Sequence, residues 1–172
     1  HSTLNRERIT VIVVSDTSPL SGLAIAGYLS LLQQLYRQVV IPAAVAEELK
    51  RGGQEDARIS QTLSLEWIEI QQASDRALVE TLQTDHNLDR GEAEAIALAL
   101  ELSADELLID ERLGRREAIR LGLSITGLLG VLLVAKRQGL LAAVRPVLDV
   151  LIAEAGFRVS NRLYIEVLIA AG

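Results

Sequence analysis

The 172-residue chain contains no cysteine and no methionine, only two histidines and three prolines, and aromatic residues make up 3% of it. Without cysteine there is neither a disulfide framework nor a thiolate metal site. The two histidines, His1 and His86, leave too few nitrogen donors for zinc and argue against a histidine-based triad. Trp67, Phe157 and three tyrosines are dispersed, so general binding of single strands by base stacking is not expected. Trp67 reads as core and His86, in "QTDHNLD", as a solvated loop residue. Because methionine is missing, His1 is not read as a natural start, and the first two residues are set aside. Positive charge is in deficit, 17 Lys and Arg against 23 Asp and Glu for a net charge of −6, so no general basic field recruits nucleic acid. The longest apolar stretch, "LGLSITGLLGVLLVA" at 121–135, is broken by Gly, Ser and Thr and falls short of the roughly 18 residues of a membrane span. The expectation is a soluble, cytoplasmic protein with no membrane partner, whose chemistry is carried by carboxylates.

What is present is a chain that is 49% apolar, dominated by Leu, Ile, Val and Ala and long enough to bury a core without staples. Five β-rich runs stand out: 9–15, 38–42, 66–70, 106–110 and 123–126. Between them, "SPLSGLAIAGYLSLLQQL" (18–35), "PAAVAEELKR" (42–51) and "RGEAEAIALALEL" (90–102) carry helical spacing or strong helix formers, and Pro42 suits a first helical turn. Strands alternating with helices predict an α/β fold, a five-stranded parallel sheet with helices on both faces, in three α/β/α layers. From residue 127 to the end the pattern is helical. The expected organisation is one domain over 1–172, with a core at about 9–141 and a C-terminal helical extension at about 142–172.

Acids fall where such a sheet brings distant residues together. Asp16 ends the first strand and Asp110 the fourth, with Glu111 beside it. Glu47 and Glu48 lie on the helix after the second strand, and Glu92 and Glu94 near the start of the helix after Gly91. Strand ends and the helix starts that follow them share one edge of an α/β sheet, the edge at which ligands bind. Crowded like charges need a cation, and hard oxygen donors suit Mg²⁺ or Mn²⁺. Each acid has an ordinary reading too: Asp16 as a helix cap, the glutamates as first-turn or solvent-facing residues, Asp110 and Glu111 as complements to a helix dipole. The pattern outweighs its members because two separate strands finish on Asp.

The series "VVSDTSPL", "IPAAVAEELKRG", "LDRGEAEAIALALEL" and "LLIDERLGRREAIRLGL" resembles the PIN domain, in particular the VapC-like ribonuclease toxins of prokaryotic toxin–antitoxin pairs. The likeness covers roughly 9–150, and "VRPVLDVLIAEAGFRVSNRLYIEVL" (144–168) is similar to the C-terminal helices of one uncharacterised branch. The resemblance implies metal-dependent endoribonuclease activity, with Asp16, Glu48, Glu92 and Asp110 as catalytic and Mg²⁺- or Mn²⁺-holding residues. Glu48 is selected over Glu47 because the family's glutamate usually stands directly before Leu. Counting back from Asp110 without a gap selects Glu92, and a shifted alignment would select Glu94. Glu111 is the nearest substitute for a further acid, and Ser18 resembles the hydroxyl that supports the first Asp.

Arg112, Arg115, Arg116 and Arg120 fall on one face of the helix after Asp110, a phosphate track for RNA or simply a solvated helix face. The apolar segments 128–141 and 163–171 offer faces for a homodimer or an antitoxin, although core packing explains them almost as well. Two other readings compete. A haloacid-dehalogenase-like phosphatase also starts from a strand-ending Asp, but wants a second acid where Ser18 stands. A non-catalytic PIN-fold interaction module would keep the fold and not depend on a metal.

Overall fold

The computed structural model describes residues 11–172. Expectations placed on residues 1–10, namely His1 and the first two residues of the 9–15 run, lie outside them. Five short strands, β1 (Val13–Ser15), β2 (Val39–Pro42), β3 (Ile68–Gln71), β4 (Glu106–Leu108) and β5 (Ile125–Thr126), form one sheet in the order β3-β2-β1-β4-β5. Every pairing is parallel, as the alternation of strands and helices predicts. Val14 is registered on Val40 to one side and on Leu107 to the other.

Alternate side chains of these strands go to opposite faces, and both faces are apolar because both are covered. Val13, Val39, Ile41 and Leu108 join one core with residues of α1 (Thr17–Ala26), α3 (Ala43–Gly52), α8 (Leu128–Arg137) and α9 (Arg145–Glu154). Val14, Val40, Leu107 and Ile109 join the other with α5 (Arg76–Asp85), α6 (Arg90–Glu101) and Ala118 of α7 (Arg112–Arg120). The result is the three-layer α/β/α arrangement. Helix α6 is buried from Gly91 to Ala99, which its small Ala-rich side chains permit against the sheet.

Three expectations are revised. The helix expected over 18–35 is two, α1 and α2 (Ser30–Tyr36), because Gly27 takes the left-handed conformation (φ 80°) and closes α1. There Tyr28 N–H bonds the Leu23 carbonyl at 2.9 Å, the wrap that ends many helices. Pro42 is the last residue of β2, paired with Gln71, and caps α3 instead of opening it from within. The apolar residues of 128–141 are mostly spent on the chain's own core, since Leu128, Val131, Leu132 and Ala135 are all buried. Residues 142–172 supply α9 and α10 (Asn161–Ala171), joined to α1 and α8 through the same core, with Ile165 and Ile169 of α10 left exposed. No helix among the described residues is long and apolar enough to cross a membrane.

Leu108 carries no exposed surface and sits beside Ser15 at the centre of the sheet. Leu108→Ala should cost about 2.5–5 kcal/mol, read as a lower urea midpoint with an unchanged m-value.

Candidate active site

Strand order fixes where a site can form. From β1 the chain steps outward to β2 and β3, then returns to place β4 on the other flank of β1, so connections diverge between β1 and β4. The carboxyl ends of those two strands border a crevice, the usual ligand position in such sheets. Asp16 directly follows β1 and Asp110 lies two residues past β4. The two strand ends are tied together, since Asp16 N–H donates to the Leu108 carbonyl at 2.9 Å. Both aspartates therefore stand at one edge of the sheet.

Around Asp16 the structure gathers further acids. Its own side chain is buried, and burial pushes its carboxyl up to about 8, with the charges of Asp89, Glu92 and Glu48 adding to the rise and the Thr17 N–H opposing it. Glu92 rises to about 7, first from burial and then from Asp89, Glu111 and Glu48. Glu48 is also raised, mainly by burial, against a hydrogen bond from the Thr17 hydroxyl at 2.5 Å. Asp110 is raised by burial, partly offset by Leu128 N–H, which donates to its Oδ1 at 3.0 Å, and by the Arg115 charge.

Close backbone approach lets these groups crowd. A Cβ at Gly91 would strike the Glu48 carboxylate, and one at Gly127 would lie 2.7 Å from both Asp110 Oδ1 and Arg115 Nη1. At Gly114 a Cβ would meet Ile109 Cδ1 at 2.6 Å, beside the Glu92 stem. A side chain at any of the three would displace the end of the neighbouring Glu48, Ile109, Arg115 or Asp110 side chain.

The two glutamates of "GEAEA" separate. Glu92 is held in a reciprocal cap: Asp89 Oδ1 accepts from Glu92 N–H at 2.8 Å and Glu92 Oε2 accepts from Asp89 N–H at 3.1 Å. Two residues on, roughly 200° around the helix, Glu94 points elsewhere. Its carboxylate accepts from Ala44 N–H at 3.0 Å, Arg90 Nε at 3.0 Å and Arg76 Nη2 at 3.1 Å. Burial would raise it, but these donors more than offset that and hold it below the ordinary carboxylate value. Glu94 is thereby committed to joining α3, α5 and α6. Glu47 is exposed and pairs with Arg90 at 2.9 Å.

The remaining predicted residues are divided in the same way. Glu111 is exposed, caps α7 without a side-chain hydrogen bond and lies near enough to Glu92 to raise it. Ser18 is in the first turn of α1 with its Oγ buried and unpartnered. Asp16 occupies the cap position of α1, yet its side chain makes no capping bond. The four arginines of α7 differ in their partners. Arg115 Nη1 donates to the Ile109 carbonyl at 2.9 Å and Arg120 Nε to Glu117 at 2.6 Å, while Arg112 and Arg116 are exposed and make no ion pair among the described residues. Arg120 also lies about 12 Å along the helix from Arg112. His86 is half-buried, with Nδ1 3.2 Å from Glu117, and is no free loop residue. Trp67 is half-buried and packs against the core, as expected.

Sequence reasoning passed over two residues, Thr17 and Asp89. Asp89 had a signal, the D-x-x-E pattern of "DRGE" at a helix start. Thr17 had none, because its partner Glu48 is 31 positions away.

Whether these residues fit a divalent ion can be asked of their oxygens. Asp110 Oδ2 is buried with no hydrogen-bond partner, as is Ser18 Oγ, and the charges of Glu48 and Glu92 raise Asp16, while Arg51 and Arg90 offset part of the rise at Glu48. The donor set is all oxygen, which suits Mg²⁺ or Mn²⁺. Among the described residues no three acidic or histidine side chains converge into a ready-made cage. The donor chemistry fits, and side-chain rotation is left to complete the contacts.

Neutralising Asp16 tests this electrostatic picture without any substrate. Its native pKa, about 8, exceeds an ordinary unfolded value of about 3.9, so between them the native state binds more protons than the unfolded one. Stability then falls as pH rises through that window. In metal-free buffer Asp16→Asn should melt above the wild type, by a margin that widens from pH 5 to pH 8 to several degrees. Calorimetry showing a constant or shrinking margin would remove Asp16 from the repelling group.

Comparison with known proteins agrees with the architecture. No curated protein matches the chain. Among solved structures it is similar to the crystal structure of PAE2754 from Pyrobaculum aerophilum, at 12% identity and a TM-score of 0.45 over 66% of this chain and 96% of that one. A family model described as PIN domain matches residues 12–172, nearly the whole chain, and the protein therefore belongs to the PIN-domain family.

Proposed function

We infer that the protein is a Mg²⁺- or Mn²⁺-dependent endoribonuclease, acting as the toxin of a toxin–antitoxin pair, with 1–172 as one PIN unit extended by its C-terminal helices. PIN domains are generally nucleases, and the family sets the reaction class. The observation that supports the reading is that Asp16 and Asp110 follow the neighbouring strands β1 and β4, with Glu48 and Glu92 near enough to raise Asp16 and an orphaned oxygen on Asp110. A phosphatase of the haloacid-dehalogenase type gains nothing here, since the position of its second acid is Ser18.

Asp16 and Asp110 would hold the ion, with Glu48 and Glu92 completing its shell and Glu111 close by. A bound divalent ion supplies charge opposite a phosphate oxygen and lowers the pKa of water. The chain's own part is placement. The Thr17 hydroxyl orients Glu48, Asp89 N–H orients Glu92, and Leu128 N–H holds one oxygen of Asp110 so that the other stays free. Ser18 Oγ, unpartnered beside Asp16, is available to a bound water. For a homodimer and an antitoxin the support is the exposed apolar surface of α10, at Ile165 and Ile169. Cytoplasmic action follows from an RNA substrate.

Cleavage of single-stranded RNA should stop in EDTA and return with Mn²⁺, and persistence in chelator would reject the metal mechanism. Mn²⁺ should raise the melting temperature of the wild type and leave Asp16→Asn unmoved, whereas a module that only binds proteins would show no such difference. Glu92→Gln should cut kcat by about 100-fold or more at near-native stability. Glu94→Gln should instead lower stability by about 1–3 kcal/mol, because Arg76 and Arg90 lose a charged partner, with the surviving folded fraction still active. The reverse pattern would exchange the two roles.

A further inference from the structure

The space beside Asp110, the one of the four acids that lines it, is bordered by a segment to which neither those acids nor the α7 arginines belong. Between α9 and α10 the chain runs Ala155–Ser160, and both ends of this linker are pinned. Gly156 (φ 68°) ends α9 in the left-handed conformation, with Phe157 N–H bonded to the Leu151 carbonyl at 3.0 Å. At the other end the Ser160 hydroxyl accepts from Leu163 N–H at 3.1 Å and caps α10. Between these anchors Phe157 and Val159 are half-buried against the core. Arg158 stands between them and is exposed, as alternation along an extended segment requires.

Two cavities meet under this linker, and Asp110, Phe157 and Arg158 line both. One, of about 460 Å³, continues past Glu111 to Ser18, Ser21 and Gly22. The other, of about 510 Å³, continues past Arg115 to Thr126, Gly127 and Gly130. Each is of a size that takes one small ligand, and together they make a groove that passes Asp110 on both sides. Arg158 makes no hydrogen bond or ion pair among the described residues, whereas Arg115, in the second cavity, is turned to the Ile109 carbonyl. Arg158 is a guanidinium with no partner among the described residues, in the lining of a groove beside the proposed metal-holding Asp110, and its fork suits a phosphate oxygen pair as well as a carboxylate.

We propose that Arg158, presented by the α9–α10 linker, binds a phosphate of a single-stranded RNA threaded through this groove, with the Phe157 ring as the apolar wall for the adjoining base. The proposal rests on the nuclease reading and adds that the C-terminal extension forms part of the substrate site. A single strand is the ligand we assign because each lobe has the volume of a small-ligand site and the two are joined at Asp110. Arg158 acts on binding and register, and the acids remain the reacting centre.

The test pairs RNA affinity in metal-free buffer, by fluorescence anisotropy, with steady-state cleavage in Mn²⁺. Arg158→Gln should weaken binding and raise KM about 5–10-fold, flatten the salt dependence by about one phosphate contact, and change kcat less than twofold. Arg158→Lys should recover part of the affinity. Arg162→Gln, on α10 and already paired with Glu166 at 3.0 Å, should behave as the wild type. If the wild type cleaves RNA and Arg158→Gln keeps its affinity and salt slope, the assignment of Arg158 is wrong and the nuclease reading stands. If the wild type neither binds nor cleaves RNA, both fall together.

Discussion

Repulsion among buried carboxylates is the constraint around which this molecule is arranged. Glu48, Asp89 and Glu92 all raise Asp16, Asp89 also raises Glu48 and Glu92, and burial raises Asp16, Glu48 and Glu92 further. A fold selected for stability alone would disperse such groups. Here neutral donors, namely the Thr17 hydroxyl and the N–H groups of Thr17, Asp89 and Leu128, steady the carboxylates, and the charges of Arg51 and Arg90 near Glu48 and of Arg115 near Asp110 offset part of the repulsion. Contrast Glu94, equally buried, which is neutralised by two arginines and a backbone N–H and contributes to the joint between helices. The same residue type in one helix thus serves two ends, and the deciding difference is whether a base has been supplied.

The sheet makes this crowding possible. Parallel strands buried on both faces put all their carboxyl ends at one edge, and the divergence of connections between β1 and β4 opens that edge at Asp16 and Asp110. Gly91 and Gly127 then bring backbone close to the Glu48 and Asp110 carboxylates, where a side chain would displace them. The C-terminal helices belong to the same economy of space, since α9 packs on α1 behind Asp16 and its outgoing linker returns over Asp110.

The extent to which the sequence discloses this follows from the range of the interactions. Periodicity and strand-ending aspartates locate the sheet, Asp16 and Asp110, because those signals are local. The difference between Glu92 and Glu94 is legible from helical geometry, and D-x-x-E at "DRGE" points to Asp89. Helical spacing alone hid the break at Gly27, where a left-handed residue overrides a continuous apolar pattern. It did not show the partners of two of the α7 arginines, the Ile109 carbonyl for Arg115 and Glu117 for Arg120, which are set by packing. The pairing of Thr17 with Glu48 and the return of Arg158 to Asp110 join residues far apart in sequence, and no spacing rule encodes them.

The proposal that most needs a test is a divalent ion held between Asp16 and Asp110 at the ends of β1 and β4. Anomalous diffraction from crystals soaked in Mn²⁺ tests it most directly. The account predicts a peak at the β1–β4 crevice with oxygens of Asp16 and Asp110 within about 2–2.5 Å of it. A well-ordered crevice that stays without a peak at saturating Mn²⁺, or a peak bound elsewhere on the surface, would contradict it.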